Sequence, residues 1–506
     1  MRGRRDGRCV PAPDLVFHNG PILTMEGGDR VVDALAVTAG HITAVGDAAK
    51  AAMWDAKRLI DLEGRTLLPG FIDAHNHLVD LGMRLMRLDL GGLQDKGQLI
   101  QMVDQRAQMT PAEGWVIGHS WDETVWDEAT LPSQDELEAA AGGRKMVLAR
   151  VDRHASLATR AALEAVGLDP DIGPFVVEED HYKVVRAVEP APQTLVKAIG
   201  TATRHCHERG VTSSHVICHG NDLRALQAAR EAGVLGVRVS CYLGEEHLDS
   251  ALALGLRQGL GDAWIRVQGI KLYADGSFGS HTAAVDAAYA DRPDGKGMLL
   301  HPDGEFEDKV KRAHRAGLQL AIHTIGERAA RRVIAALEVA GVTPRDRVRL
   351  EHLESVDDGD LASAARMGLI ASCQPNFTVN WGQPGQMYER RLGPERAARL
   401  NRFADYRAAG LSLAFGSDDM PLGPLAGLAG ATEAPHAAQR IAALDALRAM
   451  TSDAARAAFA EGEVGKLAAG YHADLVVLDN DPRQVPAADL RVCMTVAAGQ
   501  VVYEKW

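Results

Sequence analysis

Apolar and polar positions alternate in short runs from residue 14 to about residue 67. The runs are Leu-Val-Phe-His-Asn-Gly from Leu15, Ala-Leu-Ala-Val from Ala34 and His-Ile-Thr-Ala-Val-Gly from His41, each broken by turn residues. Period-two alternation of this length predicts strands of a small sheet. The far end repeats the pattern, with Ala-Asp-Leu-Val-Val-Leu-Asp from Ala473 and Met-Thr-Val-Ala-Ala-Gly-Gln-Val-Val-Tyr from Met494. Neither end is large enough to bury a core alone, so residues 1–66 and 465–506 are expected to pair into one small β-sandwich.

Between the ends, apolar runs alternate with Ala- and Arg-rich helical stretches, the signature of βα units and a parallel sheet. Strand candidates fall at residues 71–77, 211–215, 237–243, 267–274, 318–324, 348–353, 369–374 and 411–418. Eight of them predict an α/β fold of the (β/α)₈ TIM barrel type, with the first strand in residues 67–83 and the remainder in 192–464. The doubly wound alternative lacks a Gly-rich phosphate loop of the G-x-G-x-x-G kind. Residues 84–191 are too many for one crossover and carry strand-like runs of their own, Trp-Val-Ile-Gly from Trp115 and Lys-Met-Val-Leu-Ala-Arg from Lys145. They predict an inserted lid domain overhanging the strand ends where barrel active sites lie.

The first strand ends in Asp73-Ala74-His75-Asn76-His77. Alternation sends His75 and His77 to one side, within reach of one metal ion. A lone His-x-His is more often a coincidence of packing, so the other strand ends decide. Lys271, His323, His352 and Asp418 end four later strand candidates. Each alone fits a core histidine or an ion-pair partner. Six such residues on one barrel rim point to a metal centre.

Composition narrows the ligand. The 506-residue chain is 46% hydrophobic and 24% charged, as in ordinary globular proteins. A net charge of −13 without a basic tract argues against nucleic acid and favours a small-molecule substrate. Oligomeric state stays open, a homodimer included. Six cysteines, Cys9, Cys206, Cys218, Cys241, Cys373 and Cys493, show no Cys-x-x-Cys spacing, which fits a reducing cytoplasm. The basic start from Met1 to Cys9 is read as a loose tail, with no signal-peptide core after it and no membrane-spanning run anywhere.

The run Leu-Pro-Gly-Phe-Ile-Asp-Ala-His-Asn-His from Leu68 resembles the first strand of the metal-dependent amidohydrolase superfamily. Lys-Leu-Tyr-Ala-Asp-Gly-Ser from Lys271, Ile-His-Thr-Ile-Gly-Glu-Arg-Ala from Ile322, Glu351-His352, Ser-Cys-Gln-Pro from Ser372 and Gly416-Ser417-Asp418 narrow the resemblance to the amidohydrolase-3, YtcJ-like branch. It covers nearly the whole chain. It implies a hydrolase with one or two divalent ions, usually zinc, and matches Lys271 to the lysine that CO2 converts to a bridging carbamate. In the binuclear reading His75, His77 and Asp418 hold one ion, His323 and His352 the other, and carbamylated Lys271 joins them. In the mononuclear reading Lys271 is a cation beside the site. A bound ion lowers the pKa of water towards about 7 and polarises a carbonyl, while Asp418 would carry the proton. Cleavage of an amide-type C–N bond, linear or cyclic, is the expected reaction. Decarboxylation or ester cleavage on the same scaffold is the alternative, and a non-catalytic binding protein a third reading.

Some residues depart from the branch pattern. Asp152-Arg153-His154 stands where Asp-Gly-His is common, which makes Arg153 a candidate for an anionic substrate group and directs His154 to the pocket. His215 after the second strand is a substrate candidate, and His219 reads as a loop residue. Trp121, in a lid patch with Trp115 and Trp126, is a candidate for lining the pocket. Arg391, in an Arg-Leu-Gly run that lies near the mouth in the branch, is a further one. Asp419 is expected to face away from Asp418 and to tolerate change.

Overall fold

A computed structural model describes residues 12–27, 29–188 and 190–506 of the chain. The expected N-terminal tail lies outside the described residues.

Eight parallel strands follow one another around a barrel in chain order: Phe71–Asn76, Val211–Cys218, Arg238–Gly244, Ile265–Tyr273, Gln319–Thr324, Arg349–His352, Ile370–Cys373 and Ser412–Phe415. Their residues are almost all buried, because helices cover the outer face while side chains fill the inside. The helix Glu327–Ala340 shows how the cover is built. It buries Ala329, Ala330, Val333, Ile334 and Leu337, one stripe of the 3.6-residue period, and ends at Gly341, whose φ of 77° suits a residue without a side chain. The eighth strand closes on the first through Asp418, whose N–H donates to the carbonyl of His75 at 2.8 Å. Closure requires Gly416, since a Cβ there would lie 2.2 Å from the His75 nitrogen.

The two chain ends meet in one eight-stranded sheet, joined where Leu475–Leu478 runs antiparallel to Thr66–Pro69. Alternation divides their side chains between two cores. Leu67, Leu475 and Val477 pack with Phe17, Val37 and Val496 inside this sheet, while Leu68, Val476 and Leu478 join the barrel core.

The insertion forms a five-stranded sheet of Leu88–Asp89, Trp115–Trp121, Lys145–Arg150, Ala155–Ala158 and Phe175–Val177. Helices Lys96–Gln108 and Gln134–Ala141 pack on it through Leu99, Val103 and Leu137, which share a core with Val116, Met146 and Leu148. Buried Arg150 ties this unit to the barrel mouth. It pairs with Asp122 at 3.1 Å, Glu123 at 2.8 Å and Asp152 at 2.9 Å. Asp152 in turn accepts from the hydroxyls of Ser277 and Ser280 in the loop after the fourth barrel strand, both at 2.8 Å. Among the described residues no helix is long and apolar enough to cross a membrane.

Candidate metal centre

His75, His77 and Asp418 converge at the C-terminal rim of the barrel, with one ligand atom from each lying within 4.8 Å of the others. Asp418 Oδ1 is 3.8 Å from His75 Nε2 and 3.4 Å from His77 Nε2. Two carboxylates hold the backbone that presents them. Asp73 accepts from the N–H groups of His75 at 3.2 Å and Ser417 at 2.9 Å, stitching the first strand to the last. Asp419 accepts from the Asn76 amide at 2.6 Å and the His77 N–H at 3.0 Å. Asp419 therefore does not stand free on the far face of a strand. The eighth strand ends at Phe415, and φ values of 52° and 58° at Asp418 and Asp419 remove both residues from strand alternation.

His323 and His352 stand beside this trio, their ring centroids 4.5 Å apart, and His352 lies 4.8 Å from His75. Burial pulls His77, His323 and His352 well below the usual imidazole pKa, so the rings are neutral, the form that binds a metal. Acceptors select the tautomers. His75 Nδ1–H donates to Glu351 at 2.5 Å, His352 Nδ1–H to Gln374 at 2.7 Å, and His323 Nε2–H to the Gly276 carbonyl at 3.0 Å. The other nitrogen of each ring keeps its lone pair. Lys271 is 1% exposed, and its Nζ has no hydrogen-bond partner among the described residues. Burial lowers its pKa to about 8. Neutral imidazoles, a carboxylate and an orphaned buried amine form a donor set that fits one or two divalent ions.

The lid closes the mouth with Arg153 and His154. Arg153 donates to the Asp418 carbonyl at 2.8 Å and to the Asp418 carboxylate, and its other Nη lies 3.7 Å from the carboxylates of Asp80 and Asp419. His154 Nδ1 is 3.1 Å from Glu178, and its ring is 5.2 Å from that of His323. Burial opposes its charge, but the carboxylates of Glu178, Asp152 and Asp418 together raise its pKa. A space of about 30 Å³ remains between His154, His323, His352 and Asp418, walled by Phe278, Phe377, Trp381 and Tyr388.

A model of the amidohydrolase family, amidohydrolase-3 branch, matches residues 58–503. The chain belongs to that family. It is 28% identical to the putative amidohydrolase YtcJ of Bacillus subtilis, over 97% of this chain and 99% of that protein. It is 26% identical to an N-substituted formamide deformylase of Arthrobacter pascens, over 97% and 98%. A solved metal-dependent hydrolase from Pyrococcus horikoshii superimposes with a TM-score of 0.78 at 27% identity, covering 94% of this chain and 99% of that one.

In this amidohydrolase three expected substrate residues are engaged elsewhere. Trp121 is 0% exposed in the lid core, and its Nε1–H donates to the Leu148 carbonyl at 2.7 Å. His215 faces the barrel interior, but its Nδ1 accepts from Arg349 at 2.8 Å and it lines a cavity with Ile72, Arg238 and Glu463, away from the rim cluster. Arg391 pairs with Asp291 at 2.6 Å and Glu123 at 3.3 Å, clamping the lid to a barrel loop. His219, in the loop after the second strand, also stacks on His77 at 6.0 Å and lies 3.0 Å from the Tyr273 hydroxyl. Arg349 and Glu351 were also missed. Two charges two residues apart in an apolar strand share its inner face, which is a signal in the sequence. His352 next to them would face outward by alternation; its φ of 71° turns it to the centre.

Proposed function

We propose that this amidohydrolase cleaves an amide-type C–N bond, linear or cyclic, in a small molecule, using a divalent metal centre of one or two ions. His75, His77 and Asp418 would hold one ion, and His323, His352 and Lys271 as its carbamate would supply the donors for a second. The observation that carries it is the convergence of His75, His77 and Asp418 beside the His323 and His352 rings, together with the buried, unpartnered amine of Lys271. Nitrogen and carboxylate donors favour zinc. When bound, the ion supplies a Lewis acid that polarises the scissile carbonyl and acidifies water. Asp418 accepts the proton of the attacking water and returns it to the leaving nitrogen. Arg153 and His154 contact the substrate from the lid, which keeps bulk water out. The Arthrobacter pascens relative, a deformylase of N-substituted formamides by name, supports C–N chemistry. Buried cysteines without a disulfide among the described residues accord with a cytoplasmic setting.

Zinc-loaded protein should release amine from at least one member of a panel of N-formyl amines, N-acyl amino acids and cyclic amides. Turnover of esters alone, or of none of these by protein with full metal content, would overturn the reading.

A further inference from the structure

The sixth barrel strand, Arg349–His352, brings two opposite charges into the barrel interior, where Arg349 and Glu351 are both 0% exposed. The guanidinium meets both carboxylate oxygens, with Nε 2.7 Å from Oε1 and Nη2 3.2 Å from Oε2. Nη1 donates to Tyr242 at 2.9 Å and His215 at 2.8 Å, and the two Nη2 hydrogens are shared among Glu351, Ser372 at 2.8 Å and the carbonyl of Ala74. Glu351 Oε2 also accepts from Ser372 at 2.7 Å and from His75 Nδ1 at 2.5 Å. A fully buried ion pair is a poor source of stability, because desolvating two charges offsets most of their attraction and apolar side chains of similar volume commonly do as well. Its placement directly behind His75 points to a different use.

We propose that Glu351 is a positioning residue for the centre, fixing His75 as the Nδ1–H tautomer with Nε2 aimed at the rim, and that Arg349 is the counter-ion that holds the carboxylate there. Glu351 touches neither the proposed ion nor substrate. A carboxylate on Nδ1 demands a proton there, so the lone pair must sit on Nε2, the nitrogen 3.8 Å from Asp418 Oδ1. Arg349 reinforces the aim from the backbone side, because its bond to the Ala74 carbonyl pins the residue that precedes His75. The consequence for metal affinity rests on the metal-centre reading, whereas the tautomer exists without any ion.

Two measurements test it. In ion-free wild-type protein labelled with nitrogen-15 histidine, with the His75 signals assigned by their loss in His75→Gln, the Nδ1–H tautomer is expected; the Nε2–H tautomer overturns the proposal. The double variant Arg349→Met/Glu351→Met removes both members of the ion pair together with the acceptor on His75 Nδ1, and its zinc affinity, read by competition with a chromophoric chelator, should fall roughly 10- to 100-fold. Ser372→Ala, which removes a bond to Glu351 but leaves His75 paired, should stay within about threefold. Wild-type affinity in the double variant, or an equal loss in Ser372→Ala, also overturns the proposal. If the double variant does not fold, the tautomer measurement decides alone. If wild-type protein binds no zinc, the proposed function fails while the tautomer still decides the role of Glu351.

Discussion

Arg153 of the lid donates to the main-chain carbonyl of Asp418 at 2.8 Å and to its carboxylate, so the cation of one domain rests on the anion of the other. That oxygen, Oδ1, is also the one on which His75 and His77 converge. The guanidinium thus stands beside the proposed ion, and its residue has a φ of 60°, a left-handed conformation that costs a non-glycine residue on the order of 1 kcal/mol.

Replacing Arg153 by glycine relieves that strain and removes a positive charge next to the ion. Arg153→Gly should therefore bind zinc more tightly, by about tenfold or more even where the repulsion is screened as in bulk water. A competition titration against wild type reads the difference directly, and equal affinities would place the guanidinium out of electrostatic reach of the ion.

Asp418→Asn preserves the shape of the side chain and an oxygen for Arg153 and the ion, but the amide cannot accept a proton. Metal content should persist while turnover drops by about 10²–10⁴-fold. Asp419→Asn tests the opposite property. Its carboxylate accepts from Asn76 and His77 and sits 3.3 Å from Arg84, so the substitution should lower thermal stability, by about 1–3 kcal/mol. Metal content and unfolding midpoints of the two variants, measured side by side, separate a proton carrier from a backbone clamp.

Local pattern carried the barrel and the ring of rim residues, because an apolar run capped by a polar residue looks the same in sequence as a buried strand ending at a rim. The candidate at residues 267–274 overlaps Ile265–Tyr273, and the one at 348–353 contains Arg349–His352. The candidate at 411–418 shrinks to Ser412–Phe415, since Gly416 must pass against His75 and the following residues turn left-handed. Depth inside the barrel was not legible. His215 shares an inward face with residues that reach the rim, yet Arg349 engages it in the interior. Nor does spacing reveal which arginine reaches the rim cluster. Arg153 and Arg391 both lie in the lid and loop region, but only the folded loops place one on Asp418 and the other on Asp291 and Glu123.

The lid carries its own acid sensitivity in His181, which is buried and 2.7 Å from the Ser156 hydroxyl. Burial, then the neighbouring His154, lowers its pKa from 6.5 to about 4. The folded lid therefore holds it neutral while the unfolded chain takes up a proton below pH 6.5. The unfolded state binds more protons across this window, so the stabilising contribution is present above about pH 6.5 and is lost as pH falls towards 4. The full effect is on the order of 3 kcal/mol. His181→Gln, which cannot titrate, should lose less thermal stability than wild type between about pH 7 and about pH 4.5; parallel melting curves from the two proteins would contradict the assignment.

Lys271 is the residue that would decide how many ions the proposed centre holds. Its amine is enclosed, unpartnered and lowered by burial to a pKa of about 8, so an appreciable neutral fraction exists near neutral pH and grows as pH rises through that value. Only the neutral amine adds CO2, and the resulting carbamate exchanges a cation for a two-oxygen anion able to bridge two ions about 3.5–4 Å apart. Wild-type protein loaded with zinc in the presence of carbon-13 bicarbonate should show a carbamate carbon resonance, stronger at pH 8.5 than at pH 6.5, the two sides of the lowered amine pKa. Lys271→Met fills the space without an amine and should bind about one equivalent of zinc fewer while retaining the ion held by His75, His77 and Asp418. Equal stoichiometry in Lys271→Met and wild type, with no carbamate signal, would instead make the centre mononuclear and leave Lys271 as a buried cation that tunes its neighbours.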